Sequence, residues 1–219
     1  MIVTKRAFDI GSAALGLLVL SPVFLVIAAL IKLDSNGPVF FRQERVGRGF
    51  RRFRIFKFRT MAVGAHGAGP AITVGNDPRI TRVGRLLRRS KVDELPQLLN
   101  VLVGDMSVVG PRPEVPRYVE MFRNDYAEIL CTRPGITDPA SVKFREEAAL
   151  LGTSPDAELL YRSYVLPEKI KIGKAYVRHA SLRTDLTVVF KTVVALVSDR
   201  DTELEQDVER SGSVGEGES

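Results

Sequence analysis

Two adjacent carboxylates, Asp93 and Glu94, directly follow the most cationic part of the chain, with Lys57, Arg59 and Arg88 before them and Arg112 after. Cations of this kind hold phosphate, and a carboxylate among them can ligate a metal or act as a nucleophile. Neighbours on a helix point about 100° apart, so the two acids are not a shared-proton pair and two different roles are expected. The same residues allow a plainer reading. Asp93 could cap a helix, Glu94 could be a first-turn acid favoured by the helix dipole, and each arginine could be a solvated or headgroup-facing surface residue. Gly110-Pro111-Arg112-Pro113-Glu114 sets one arginine on a stiff frame, because each proline fixes φ and restricts its predecessor. Rigid placement suits recognition, and it also suits a turn with no ligand.

The elements that must carry these residues are short. VFFRQERVGRGFRRFRIFKFRTM alternates around Gly47 and Gly49, which predicts a β-hairpin, and its register slips near Ile55-Phe56, which predicts a bulge. Residues 62–75 are rich in Gly and Ala and read as a loop. Ile80, Val83, Leu86 and Leu87 recur at helical spacing with Arg82, Arg85, Arg88 and Arg89 between them, an amphipathic cationic helix. Ser90 with Asp93 fits a capping signature and Pro96 is tolerated only near a helix start. A helix is therefore predicted to begin between Ser90 and Leu95 and to end near Gly104. Further helices are predicted over Pro116 to Leu130 and Leu182 to Val197, with Arg133-Pro134-Gly135 interrupting.

The 219 residues are 45% hydrophobic and 26% charged, enough for one folded domain with attachments. A single Cys131 cannot form an internal disulfide, and with His66 and His179 it falls short of a structural zinc set. Between Asn36 and Lys91 there are 14 Lys or Arg against Glu44 and Asp77, whereas Asp199 to Ser219 holds 8 acids against 2 bases. The basic segment should face something anionic, and the acidic tail reads as disordered. No phosphate-binding glycine loop and no dinucleotide fingerprint are present. The lack of a nucleic-acid motif, beside an apolar anchor, argues against DNA or RNA.

From Ile10 to Ile31 the chain has 22 residues without charge, enough at about 1.5 Å per residue to cover a hydrocarbon core of about 30 Å. The run continues into Lys32 without a cleavage site, so it is expected to be retained. Lys5 and Arg6 precede it and the Arg-rich segment follows it, which gives no orientation for a span. Ser21-Pro22 at its middle predicts a kink, and Asp9 is expected to pair with Lys5 or Arg6 one turn away. Both a bent helix that enters and leaves by one face and a kinked single-pass anchor fit these facts.

Lys5-Arg6 with Asp9, Ser21-Pro22, GPVFFRQERVGRGF, FKFRTM, NDPRITRVGRLLRR, DELPQLLNVLVGDMSVVGPRPE and RPGIT, in this order, resemble the bacterial sugar transferase family, the monotopic phosphoglycosyl transferases. The resemblance covers most of residues 4 to 197. It implies an α+β, mainly helical protein with a kinked re-entrant helix over residues 1–34, amphipathic interface helices and a small β-hairpin. Residues 35–198 would form the catalytic domain at the cytoplasmic face of a bacterial inner membrane, seated in a single leaflet, with 199–219 as the tail. The implied reaction moves a sugar-1-phosphate from a UDP-sugar to polyprenyl (undecaprenyl) phosphate with Mg²⁺, releasing UMP, as the first membrane step of polysaccharide assembly. Asp93 would be the covalent nucleophile and metal-bearing carboxylate and Glu94 its partner. Lys57, Arg59, Arg88, Arg112 and Pro113 would bind phosphate and nucleotide, with room left for a homodimer. Lys5, Arg6 and Asp9 would mark the interfacial helix end and Ser21 and Pro22 the break. After RPGIT many relatives continue with glycine and an Ala-Gln pair, whereas Asp138-Pro139-Ala140-Ser141 stands here. The chain reads as a minimal catalytic unit. The competing expectation is a non-catalytic, membrane-anchored protein that holds anionic lipid or a partner.

Overall fold

The computed structural model describes residues 2–64 and 77–195. Helix α1 (Ile2–Asp34) takes in the whole apolar run and stays helical through Pro22. Pro22 has no N–H to offer the Leu18 carbonyl one turn back, and Ser21 Oγ donates to that carbonyl instead, at 2.8 Å. Leu15, Leu18, Val19, Leu25, Val26 and Leu33 stand exposed, an apolar surface suited to hydrocarbon. The inner side of α1 packs on one folded body along its length. Ala13 is buried with Val101 and Met106, Phe24 meets Phe58 edge-on at 5.1 Å, and Ile27 and Ile31 are buried with Phe58 and Leu87.

The expected pairing of Asp9 with Lys5 or Arg6 does not form. Asp9 is buried and accepts from Ser107 Oγ at 2.9 Å and from the Val108 amide at 3.0 Å. Lys5 reaches Asp185 at 2.5 Å and the Val109 carbonyl at 3.0 Å, and Arg6 donates to the carbonyls of Val101 and Leu102 at 2.7 and 3.1 Å. A local helical ion pair is worth only about 0.2–0.5 kcal/mol, less than leaving buried carbonyls and a buried acid without partners.

Strands β1 (Phe40–Val46) and β2 (Arg52–Phe58) form the hairpin, joined by a turn over Arg48–Phe50 in which Gly49 has φ 65°. Pairing is unbroken from Phe40↔Phe58 to Val46↔Arg52, so the bulge near Ile55-Phe56 is absent. The sequence pattern shifts there because the hairpin is buried on different faces at its two ends. Phe53 and Ile55 join Val101 and Met106, whereas Phe58 lies on the opposite face against α1, and Phe56 is covered by the Arg42 guanidinium at 4.7 Å.

Helix α2 (Arg82–Arg89) is capped by Thr81 Oγ1, which accepts from the Gly84 amide at 3.0 Å. Ser90 closes α2 rather than opening the next helix, since its hydroxyl donates to the carbonyls of Leu86 and Leu87 at 2.9 and 3.2 Å. The chain then turns at Lys91, with φ 56°, into a single 3₁₀ turn over Val92–Glu94. Regular helix resumes only after Pro96, as α3 (Gln97–Val103), and ends at Gly104 with φ 94°. Asn100 ties α3 to the hairpin edge, accepting from the Phe56 amide at 2.9 Å and donating to the Arg54 carbonyl at 2.8 Å.

Strands β3 (Ser107–Val109) and β4 (Gly135–Thr137) pair in parallel and bring the GPRPE and RPGIT segments together. A Cβ on Gly135 would fall 2.0 Å from the Gly110 nitrogen, so this approach requires glycine. The helix predicted over Pro116 to Leu130 is broken at Phe122 into α4 (Pro116–Met121) and α5 (Arg123–Ile129). Helices α6 (Pro139–Lys143), α7 (Glu147–Gly152), α8 (Ala157–Leu160), α9 (Leu166–Arg178) and α10 (182–195) follow. The largest core gathers Val119, Ile129, Leu151, Val165, Leu166 and Ile170 between them. The chain is mainly helical with two small sheets. From residue 65 on the loop predicted over 62–75, and all of the acidic tail, lie outside the described residues.

Candidate active site

The 3₁₀ turn after α2 presents Asp93 and Glu94 side by side in different surroundings. Glu94 accepts from Lys57 Nζ at 2.7 Å and from both Arg112 Nη atoms at 3.0 and 2.5 Å. Lys57 comes from the end of β2 and Arg112 from the proline frame that follows β3, so one carboxylate joins three separate elements. Although burial works against its ionisation, the charges of Arg112 and Lys57 hold Glu94 well below the usual carboxylate range. Arg112 is correspondingly raised by the charge of Glu94. Burial lowers Lys57 from its ordinary value, against the opposing pull of Glu94.

Asp93 is the more buried of the two, at 7% exposure, but none of the described residues is hydrogen-bonded to its carboxylate. Burial raises its carboxyl above the ordinary value, with Lys57 and Arg88 opposing and Glu94 adding to the rise. A buried acid whose lone pairs are unused, within electrostatic reach of three cations, is chemically different from a helix cap. Arg88 uses only Nε inside the fold, donating to Thr60 Oγ1 at 2.8 Å, which leaves its two terminal nitrogens without a hydrogen bond among the described residues. Burial lowers the Arg88 guanidinium somewhat, and Asp93 counters this more than any other charge.

Lys57, Arg88, Asp93, Glu94 and Arg112 are thus brought together. Pro113 contributes through its carbonyl, which accepts from Arg45 at 3.1 Å, so its part is to hold the frame. Arg59 is directed elsewhere. It is buried and donates to the carbonyls of Ser35 and Asn36 at the end of α1. Lys5, Arg6, Asp9, Ser21 and Pro22 all lie on α1, the first three fastening it to α3, β3 and α10. His179 is exposed and His66 lies outside the described residues.

Several supporting residues were not foreseen. Glu114 is buried and joins Arg45 at 3.1 Å to Tyr161 Oη at 2.9 Å, bracing the frame from behind. Asp138, first in the segment that departs from RPGIT relatives, caps α6 by accepting from the Ser141 amide at 2.8 Å. With Arg112, Glu114 and Lys169 it lines a cavity of about 30 Å³ behind the site, room for a water and no more. Their one signal in sequence is the charged residue beside a proline turn, which does not say that the charge faces inward.

The family of bacterial sugar transferases matches residues 1–199, and the chain belongs to it. It is 42% identical over 201 residues to the exopolysaccharide production protein PSS of Rhizobium leguminosarum bv. phaseoli, covering 89% of this chain and 95% of that one. It is 40% identical over 199 residues to a UDP-N-acetylgalactosamine-undecaprenyl-phosphate N-acetylgalactosaminephosphotransferase of Aeromonas hydrophila, covering 89% of this chain and 44% of that one. A UDP-glucose:undecaprenyl-phosphate glucose-1-phosphate transferase of Caulobacter vibrioides is 40% identical over 197 residues, 89% and 70% of the two chains. The chain therefore spans less than half of the Aeromonas relative and nearly all of the Rhizobium one.

Proposed function

We propose that this protein transfers a sugar-1-phosphate from a UDP-sugar to polyprenyl phosphate through a covalent intermediate on Asp93. The observation that carries this reading is the buried Asp93 carboxylate, free of hydrogen bonds to the described residues and set beside Lys57, Arg88 and the Glu94–Arg112 pair. In the first step an Asp93 oxygen attacks the sugar-bearing phosphorus of the donor. The bond from that phosphorus to the bridging oxygen breaks, and UMP leaves with the electron pair. In the second step an oxygen of polyprenyl phosphate attacks the same phosphorus and expels the carboxylate, giving the polyprenyl diphosphate sugar. Phosphoryl transfer depends on in-line placement and on neutralising spread negative charge, which suits the terminal nitrogens of Arg88 and the Lys57 ammonium. Glu94 keeps Lys57 and Arg112 charged and in place.

Asp93 suits Mg²⁺, which is commonly held by one or two carboxylates together with substrate phosphates. When bound, the ion reduces repulsion between an anionic nucleophile and a diphosphate. Contacts from Ala13 to Ile31 with one domain favour a helix seated in a single leaflet, although it stays helical through Pro22.

The test is UMP release from a panel of UDP-sugars by the protein in lipid nanodiscs with Mg²⁺. A covalent route gives up to one UMP per enzyme before any undecaprenyl phosphate is added, sustained release afterwards, and neither from Asp93→Asn. Sustained turnover by Asp93→Asn, with deamidation excluded by mass, refutes the mechanism. Salt-sensitive lipid binding without UMP release from any donor instead points to a membrane-anchored binding protein.

A further inference from the structure

Arg59 and Thr60 are consecutive residues just beyond β2, and they fasten two different helices. Arg59 donates to the carbonyls of Ser35 and Asn36 at the end of α1, while Thr60 Oγ1 accepts from Arg88 Nε at 2.8 Å. The backbone of Thr60 also holds the start of α2, its carbonyl accepting from the Thr81 amide at 3.0 Å. A Cβ on Gly84 would fall 2.1 Å from the same carbonyl, so α2 lies directly on Thr60. From the other side, Asp34 at the end of α1 accepts from the Val83 amide of α2 at 3.1 Å. These contacts close a ring from α1 through Arg59 and Thr60 to α2, and back through Asp34 to α1.

We infer that Thr60 is a positioning residue for Arg88, and that the ring sets the phosphate-facing end of Arg88 in register with the apolar helix. With Nε fixed by a neutral acceptor, the guanidinium plane is fixed while both terminal nitrogens stay available for phosphate oxygens. An acidic partner in place of Thr60 would compete with the ligand for the same charge. Asp34 and Arg59 act one step further out, by fixing where α2 begins relative to α1.

This inference rests on Arg88 facing phosphate, as in the proposed function, and its test separates the two. The intact protein in nanodiscs is compared with Thr60→Val, which keeps volume and loses the acceptor, and with Thr60→Ser, which keeps the acceptor and loses a methyl. The readouts are kcat/KM for UMP release and, independently of turnover, the calorimetric affinity for magnesium pyrophosphate. Thr60→Val lowers both about tenfold, the equivalent of one hydrogen bond to a charged group, while Thr60→Ser stays within about threefold of the parent. If Thr60 served only packing, Ser would be the weaker variant, and Val equal to or better than Ser in both readouts overturns the assignment. Asp34→Ala lowers pyrophosphate affinity about threefold, and unchanged affinity overturns the link to α1. A parent protein that binds pyrophosphate but releases no UMP overturns the proposed reaction and leaves Thr60 to be judged on affinity. No pyrophosphate binding by a parent that does release UMP overturns the phosphate-facing role of Arg88, and Thr60 with it, and leaves the reaction standing.

Discussion

Replacing the two neighbouring acids one at a time should move stability in opposite directions. Glu94 makes three hydrogen bonds to two largely buried cations, so Glu94→Gln removes the charge that Lys57 and Arg112 share and leaves both underneutralised. Breaking a buried ion pair from one side costs about 3–5 kcal/mol, and since glutamine keeps one acceptor oxygen the lower figure applies. At about 2–4 °C per kcal/mol for a chain of this size, the melting temperature falls by about 6–12 °C. Asp93→Asn does the reverse. With no hydrogen bond to lose among the described residues and a charge whose burial is unfavourable, its melting temperature at pH 7.5 is unchanged or higher.

The pH dependence of the two effects differs in sign. The folded Asp93 carboxyl is raised, so in that window the folded state binds more protons than the unfolded one and stability falls as pH rises through it. The advantage of Asp93→Asn therefore fades on acidification towards the ordinary carboxylate range. Glu94 is depressed, so its contribution is present above its ordinary value and lost as pH falls, and the penalty of Glu94→Gln shrinks in acid. Calorimetric scans of nanodisc-embedded variants at matched scan rate, from pH 3 to 8.5, provide the check. A Glu94→Gln loss below about 2 °C, or an Asp93→Asn loss as large as that of Glu94→Gln, refutes the division of roles.

Two further outcomes follow from the same site and its frame. The pH profile of kcat/KM for UMP release should be narrowed from both sides, its acid limb above the ordinary aspartate value because Asp93 is raised by burial and its basic limb below that of an ordinary lysine because burial lowers Lys57. An acid limb at or below the ordinary aspartate value contradicts the assignment of Asp93. Gly135→Ala forces β3 and β4 apart and shifts the frame that carries Arg112, costing about 1–3 kcal/mol or more and most of the turnover. Retention of parental melting temperature and rate shows that the frame does not depend on that contact.

Local patterns of one element were legible in the sequence, and contacts that cross between elements were not. The hairpin, the cationic helix before Ser90, the stop at Gly104 and the helix from Leu182 follow from glycines, periodicity and turn residues that act within a few positions. Each failure came where a local rule met a competing contact, across the fold for Asp9 and within the preceding turn for Ser90. Asp9 took Ser107 and Val108 over Lys5, Ser90 took the carbonyls behind it over Asp93, and the apparent slip at Ile55-Phe56 recorded a change of packing partner rather than a bulge. At the site, the adjacency of Asp93 and Glu94 suggested unequal roles, but nothing in spacing alone says which acid is clamped. That depends on Lys57 and Arg112 arriving from residues 37 and 18 positions away.

The fastening of α1 at both ends also bears on how the protein meets membranes of different thickness. A spanning helix adjusts to hydrophobic mismatch by tilting, and is sorted among bilayers by its length. Here Lys5 is bonded to Asp185, Asp9 to β3, and the residue just past the last turn to Arg59, all within one body. A tilt of α1 alone would break contacts at one end or the other, so helix and domain must rock together. The tilt of α1 in a bilayer is then tied to the body it is bonded to, and not set by its own apolar length alone.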